Sequence, residues 1–262
     1  MWTFERGRPR LIGMVHLLPL PGAPSPAAWP RLLSRAVADA QAWARGGADA
    51  VLIENFGDSP FAPAAVAPIT IAAMARAIAA VRAAVELPLG VNVLRNDAAA
   101  ALALAAAFEL DFLRINVHAG VAVADQGLLT GRADQTLRER AALRCKVQLL
   151  ADLRVKHARP LAERPLVDEA HDLFERAHAD ALLLTGPATG RAPDLAPLAE
   201  LVAALPRCPF LLASGATPKL VAEGRALLSG CIVGSAAKRG GRLAAPVDVA
   251  RVRALAAACR GR

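Results

Sequence analysis

PLGVNVLRNDAAAALALAAAFELDFLRINVH, residues 88–118, decides the fold. Two short apolar runs, LGVNV and FLRINV, flank an Ala/Leu-rich stretch of helical character, and each run leads into polar residues. Strand, helix and strand in succession imply parallel pairing, because only a crossover returns the chain to the same end of a sheet. VQLLAD at 147–152 repeats the pattern after a second helix-like stretch, TLRERAALR. All the polar strand ends then point one way, toward the edge where parallel α/β folds bind ligands.

The same rhythm runs outward along the chain. Strands are expected at 11–16, 49–54, 89–93, 112–117, 147–152, 180–185, 209–213 and 231–234. The first helix is expected from 34 to 45, stopped by Gly46 and Gly47. The second carries an apolar stripe of Ile71, Met74, Ile78, Val81 and Val85 at three- and four-residue spacing. Asp97 is placed to cap the third helix, and Thr136 with Glu139 has the spacing of a capping box for the fourth. The remaining helices are expected at 166–178, 194–205, 217–228 and 246–259, and residues 119–135 read as a loop. Eight strand–helix units with no linker predict a single (β/α)8 barrel over residues 1–262. A doubly wound open sheet is the alternative.

Composition narrows the class. The chain is 55% hydrophobic, which rules out a disordered polymer. Its longest apolar stretch, 69–85, contains Arg76 and Arg82 and so does not read as membrane-spanning. Four scattered cysteines form no metal pattern and read as reduced thiols of a cytoplasmic protein. The formal charge is +8, but the arginines are dispersed, Tyr is absent and aromatics make up only 4%. No specific nucleic acid is therefore expected. The charge suits an anionic small molecule better. A homo-oligomer is the expected state, and peripheral association with a membrane surface stays open.

Strand residues two apart share a face. In FLRINVH, Leu113, Ile115 and Val117 would face the helices, and Arg114, Asn116 and His118 the lumen and its mouth. Asn92 points inward by the same alternation, and His16, Glu54, Asp152 and Thr185 end strands of their own. Lys156 follows Asp152 by four residues. Glu54 or Asp152 could accept a proton, His118 or His16 could donate one, and Asn92 and Asn116 could orient hydroxyls or steady an oxyanion. Lys156 reads either as a rim cation or as a Schiff-base nucleophile. On this reading, conservative replacement of Glu54, His118 or Asp152 lowers turnover and spares the fold. His16, Glu54, His118, Asp152 and His157 are metal-ligand types without local ligand spacing; no cofactor is assigned and a divalent metal stays open.

The stretches SGATP at 214–218 and GSAAKRGG at 234–241 bring small residues to the seventh and eighth loops. Barrels often hold phosphate there, on backbone N–H groups and the helix N-termini that follow. Ser214, Gly215, Gly234 and Ser235 are the expected cradle, with Lys238 as helper and Thr185, Gly186 and Thr189 of the sixth loop contributing.

With these residues in view, the chain resembles the BtpA/SgcQ family. The resemblance is carried by GMVHLLPLPGAP, GADAVLIENFGDSPF, PLGVNVLRNDAAAALALAAA, FLRINVHAGVAVADQGLLTGRA, ADLRVKHARPL, ADALLLTGPATG and IVGSAAKRGG, in order from residue 13 to 241. It implies a ribulose-phosphate-binding type of barrel. One branch is linked with photosystem I assembly and another occurs beside sugar-uptake genes; no reaction comes with the family. Some members carry a phosphoribosylanthranilate isomerase label. That enzyme type uses Cys at the end of strand one and Asp at the end of strand six, where this chain has His16 and Thr185, so the label is set aside. The leading expectation is an enzyme acting on a small phosphorylated metabolite, a sugar or nucleoside phosphate, as lyase, isomerase or N-glycosidic enzyme. The alternative is a non-catalytic assembly or regulatory factor that keeps a ligand-binding barrel.

Overall fold

Gly13 sits midway along the first strand and has no side chain to spare. A Cβ at that position would lie 2.0 Å from Cδ2 of Trp43 on the first helix. Trp43 is fully buried there and its Nε1 donates to the Met14 carbonyl at 3.0 Å. Contacts of this kind clamp each helix onto the sheet. The computed structural model describes residues 2–186 and 193–262. Its strands are β1 (Arg10–His16), β2 (Ala50–Glu54), β3 (Leu89–Asn92), β4 (Phe112–Ile115), β5 (Val121–Ala124), β6 (Gly127–Thr130), β7 (Gln148–Asp152), β8 (Ala158–Pro160), β9 (Ala181–Thr185), β10 (Phe210–Ala213) and β11 (Gly230–Val233). The helices are α1 (Trp29–Gly46), α2 (Pro68–Arg82), α3 (Ala98–Ala107), α4 (Ala133–Ala142), α5 (Leu166–His171), α6 (Leu198–Ala204), α7 (Pro218–Gly224) and α8 (Val249–Arg260).

Eight of the strands close a parallel barrel in the order β1-β11-β10-β9-β7-β4-β3-β2. The open-sheet alternative is thereby excluded, since β1 pairs with both β2 and β11. Two apolar layers follow from the period-two alternation. Leu11, Val15, Val51, Ile53 and Leu113 pack outward against the helices. Ile12, Met14, Leu52, Phe112, Leu150 and Leu183 fill the lumen. The N-terminal segment plugs the lumen from below: Trp2 stacks on Phe112 at 5.0 Å and Phe4 meets Trp2 edge-on at 4.7 Å. Among the described residues, no helix is long and apolar enough to cross a membrane.

Several boundaries differ from expectation. The helix α1 starts at Trp29, not 34, because Pro30 occupies its first turn, where a missing N–H costs nothing. Asp97 caps α3 as expected, accepting from the Ala100 amide at 2.9 Å. The capping box does not form. Thr136 lies inside α4, and its hydroxyl donates back to the Arg132 carbonyl at 3.0 Å. The helix α5 continues into a π-helical stretch, Asp172–Arg176. The largest departure is at 119–135, read as loop. There β5 and β6 form a hairpin that β8 joins to make a three-stranded antiparallel sheet. Ala122 and Leu129 on this sheet pack over Val117 and Val155, so the sheet has its own small core beside the barrel mouth.

Replacing Gly13 with Ala should overpack the β1–α1 contact and lower stability by about 1–3 kcal/mol, the scale of inserted methylenes in a filled core. Urea unfolding of the two proteins measures it; equal midpoints would show that Trp43 moves aside at no cost.

Candidate active site

The lumen changes character one turn of the barrel above Phe112. Arg114 and Asp152, from neighbouring strands β4 and β7, form a buried two-pronged ion pair. The Arg114 Nε lies 3.0 Å from Asp152 Oδ1, and its Nη2 lies 3.0 Å from Oδ2. Asn116 Nδ2 donates to the same Oδ2 at 2.8 Å. On the adjoining strands β3 and β2, Asn92 Nδ2 donates to Glu54 Oε2 at 2.6 Å. Glu54 Oε1 is buried and has no hydrogen-bond partner among the described residues; the ring nitrogen Nε2 of His16 lies 3.7 Å away. The carboxylate with an open oxygen is thus Glu54, whereas the oxygens of Asp152 already accept three hydrogen bonds.

His16, Glu54, Arg114 and Lys156 line a cavity of about 30 Å³ together with Ser214, Gly215, Gly234 and Ser235. It is sized for the oxygens of one anion rather than for a whole metabolite. Ser214 and Gly215 both take positive φ, 39° and 96°, which turns the backbone toward the mouth. A Cβ on Gly234 would meet His16 Cε1 at 2.8 Å, so only glycine lets this loop close on the first strand. The elements that follow are short, seven residues in α7 and three in the turn Ser235–Ala237. The N-terminus of a long helix, expected behind each of these loops, is therefore absent here.

Burial holds His16 well below the ordinary histidine range, and the positive charges of Lys238 and Lys156 push the same way. It is a neutral ring at physiological pH. Burial also lowers Lys156, whose ammonium lies 5.7 Å from the Phe56 ring centroid. Phe56 in turn packs on His16 at 4.6 Å between centroids. Neither Phe56 nor Arg95 was legible as a site residue, because each lies in a loop where strand alternation gives no direction. Arg95 is 3% exposed, donates to the Lys156 carbonyl at 2.6 Å and lies in the field of Asp152 and Glu54. Within the mouth Arg95, Arg114 and Lys156 face Glu54 and Asp152, an excess of one positive charge, and the exposed Asp125 also acts on Arg95 from outside.

Three expected site residues are placed elsewhere. His118 leaves the lumen because β4 ends at Ile115 and the alternation lapses; its Nε2 pairs with the Ala177 carbonyl, beyond the π-helical stretch, at 2.9 Å. Lys238 is 1% exposed and its ammonium lies 3.9 Å from Asp39 of α1, turned from the cradle, with burial lowering it to about 8. The Thr185 hydroxyl is taken up by the Arg154 carbonyl. The Gly186 amide donates to the Ser214 carbonyl at 3.3 Å, and Thr189 lies outside the described residues. Among the described residues, no three His, Cys, Asp or Glu side chains converge as a metal site. The exposed His157 was one of the candidate ligands.

Comparison with known proteins bears on this geometry. The BtpA family model matches residues 8–261. A photosystem I biogenesis protein BtpA from Synechocystis is 40% identical over 256 residues, covering 96% of this chain and 88% of that protein. An uncharacterized protein of Archaeoglobus fulgidus is 41% identical, covering 96% and 98%. A putative sgc region protein SgcQ of Escherichia coli is 32% identical, covering 92% and 91%. Among solved structures, phosphoribosyl anthranilate isomerase from Thermus thermophilus has a TM-score of 0.58 at 17% identity, covering 96% of this chain and 98% of its own. At that identity the likeness concerns the barrel alone.

Removing one partner of the buried pair strands the other charge. Asp152→Ala should lower stability by about 3–5 kcal/mol, while Glu54→Gln should cost far less, since Asn92 keeps an oxygen to bond. Chemical unfolding of both variants tests this, and a stable Asp152→Ala protein would contradict it. The depressed pKa of His16 also has a sign. Between its folded value and the ordinary value near 6.5, the unfolded chain binds the extra proton, so stability falls as pH drops below that ordinary value. His16→Gln should flatten part of this slope in melting temperature measured from pH 7 down to 5; an unchanged slope would assign it to other groups.

Proposed function

The chain belongs to the BtpA family, and on that premise we propose that it is an enzyme acting on a small phosphorylated metabolite by acid–base chemistry at the C-terminal mouth of the barrel. One observation carries the reading. The mouth pairs an excess of buried positive charge with a single open carboxylate oxygen, Glu54 Oε1, beside the small-residue loops at 214–215 and 234–235. Buried cations in excess select an anion, because an uncompensated charge in low dielectric is costly without a partner. Glu54, oriented by Asn92, is the proton acceptor. His16 is neutral and within reach of the same carboxylate, so it passes or donates a proton through one ring nitrogen while the other stays free to accept. Lys156, placed over Phe56 at the rim, steadies negative charge as it develops. Asp152 and Arg114 position one another and Asn116.

A second reading has its own observation: the Synechocystis relative is named for photosystem I biogenesis. On that reading the barrel binds its ligand without turnover and serves assembly. The two readings part on catalysis, not on binding.

Ser235→Asp places negative charge at the cradle without crowding His16. It should weaken the binding of inorganic phosphate and of ribose 5-phosphate by about tenfold or more in calorimetry, and unchanged affinity would put the anion elsewhere. For any phosphorylated metabolite that the protein turns over, Glu54→Gln should lower kcat by about a hundredfold or more with KM little changed. Tight binding with no turnover across sugar and nucleoside phosphates would favour the assembly role.

A further inference from the structure

A second cavity, of about 310 Å³, opens beside the mouth, between the three-stranded sheet, the segment after β7 and α5. This volume is at the lower end of small-molecule sites, which run from about 300 Å³ upward. Asn116 and Asp152 line this cavity, and Arg114, which lines the mouth cavity, is bonded to Asp152, so the ion pair stands between the two spaces. Its other walls are apolar, among them Val117, Val121, Leu153, Val155 and Leu173. Two ion pairs take up most of the charge at its rim, and the remaining cation, Arg159, is exposed to solvent. Arg154 grips Glu169 through two bonds of 3.1 and 2.8 Å, and Arg164 reaches Asp172 at 2.6 Å.

One polar atom is left over. Asn116 is 2% exposed and its Nδ2 donates to Asp152, which fixes the amide orientation because a carboxylate only accepts. Asn116 Oδ1 is then a buried acceptor with no donor among the described residues. Such an atom is costly unless a ligand supplies an N–H or O–H. A sugar phosphate alone would leave both the apolar cavity and this oxygen unsatisfied.

We infer that this cavity is a subsite for an uncharged, flat-faced ring bearing a hydrogen-bond donor on its edge, so that the substrate class is the nucleoside monophosphates. The inference rests on the reading of the mouth as a phosphate site. Barrel order supports the span. Of the strands that frame the cavity, β4 lies diametrically across the ring from β11, and β7 is separated from β10 by β9. A ligand with its phosphate on one side and its base on the other presents its sugar to Glu54 between them.

Isothermal titration with ribose 5-phosphate and the four common ribonucleoside 5′-monophosphates tests it, on the wild type and on Ala158→Phe. Ala158 is a half-buried lining residue of β8, and a phenyl ring there fills the cavity. At least one monophosphate should bind the wild type about tenfold or more tightly than ribose 5-phosphate. In Ala158→Phe that advantage should vanish while ribose 5-phosphate binds as before. Equal wild-type affinities for the sugar phosphate and all four nucleotides would overturn the subsite and leave the mouth reading standing. Binding of none of the five would overturn the mouth reading and the subsite with it. Should Ala158→Phe fail to fold, the wild-type ratio decides alone.

Discussion

The Arg114–Asp152 pair is the constraint around which the site is organised. Two charges sit in a lumen that is hydrocarbon below them, where each alone would be prohibitively unstable. Their mutual geometry fixes the end of β4 against the end of β7 and saturates Asp152. That saturation has consequences outward. Asn116 must donate to Asp152, so its carbonyl oxygen faces away from the pair. The remaining carboxylate, Glu54, becomes the group with a free oxygen, and the surplus positive charge falls on Arg95 and Lys156.

The molecule thus divides stability from chemistry by height in the barrel. The lower lumen is filled by Trp2, Phe112, Met14 and their neighbours, which exclude water and carry the hydrophobic part of folding. The upper lumen holds buried polar atoms without a partner among the described residues, on His16, Glu54 and Asn116. Native proteins pair most such atoms, so each one left over calls for a physical explanation. The family relationship fixes the fold over nearly the whole chain. It does not choose between catalysis and assembly, so the physical chemistry of these few atoms has to carry the functional argument.

The three-stranded sheet adds a feature that the barrel alone would lack. It raises a wall beside the mouth on its own small core and turns an open rim into a cavity. Its place between β4 and the segment after β7 puts that cavity against the ion pair. The same sheet explains why the segment after β4 is long: it is a built structure and not a connector.

The sequence by itself determined the barrel, because period-two alternation and helix-spaced apolar stripes are local properties that survive without knowledge of contacts. The inward direction of Asn92, Arg114 and Asn116, and the strand-end places of His16, Glu54 and Asp152, were legible for the same reason. That the small residues at 214–215 and 234–235 come to the same mouth was legible as well. What only the tertiary structure decided lies where alternation stops. His118 is three residues past the end of β4 and swings out to Ala177. Lys238 follows a turn that carries it to Asp39. Arg95 and Phe56 come into the site from loops whose path depends on distant packing. Which carboxylate is spoken for is likewise a matter of reach across strands: the sequence shows two acids, and only the fold shows that Arg114 claims Asp152 and leaves Glu54 open.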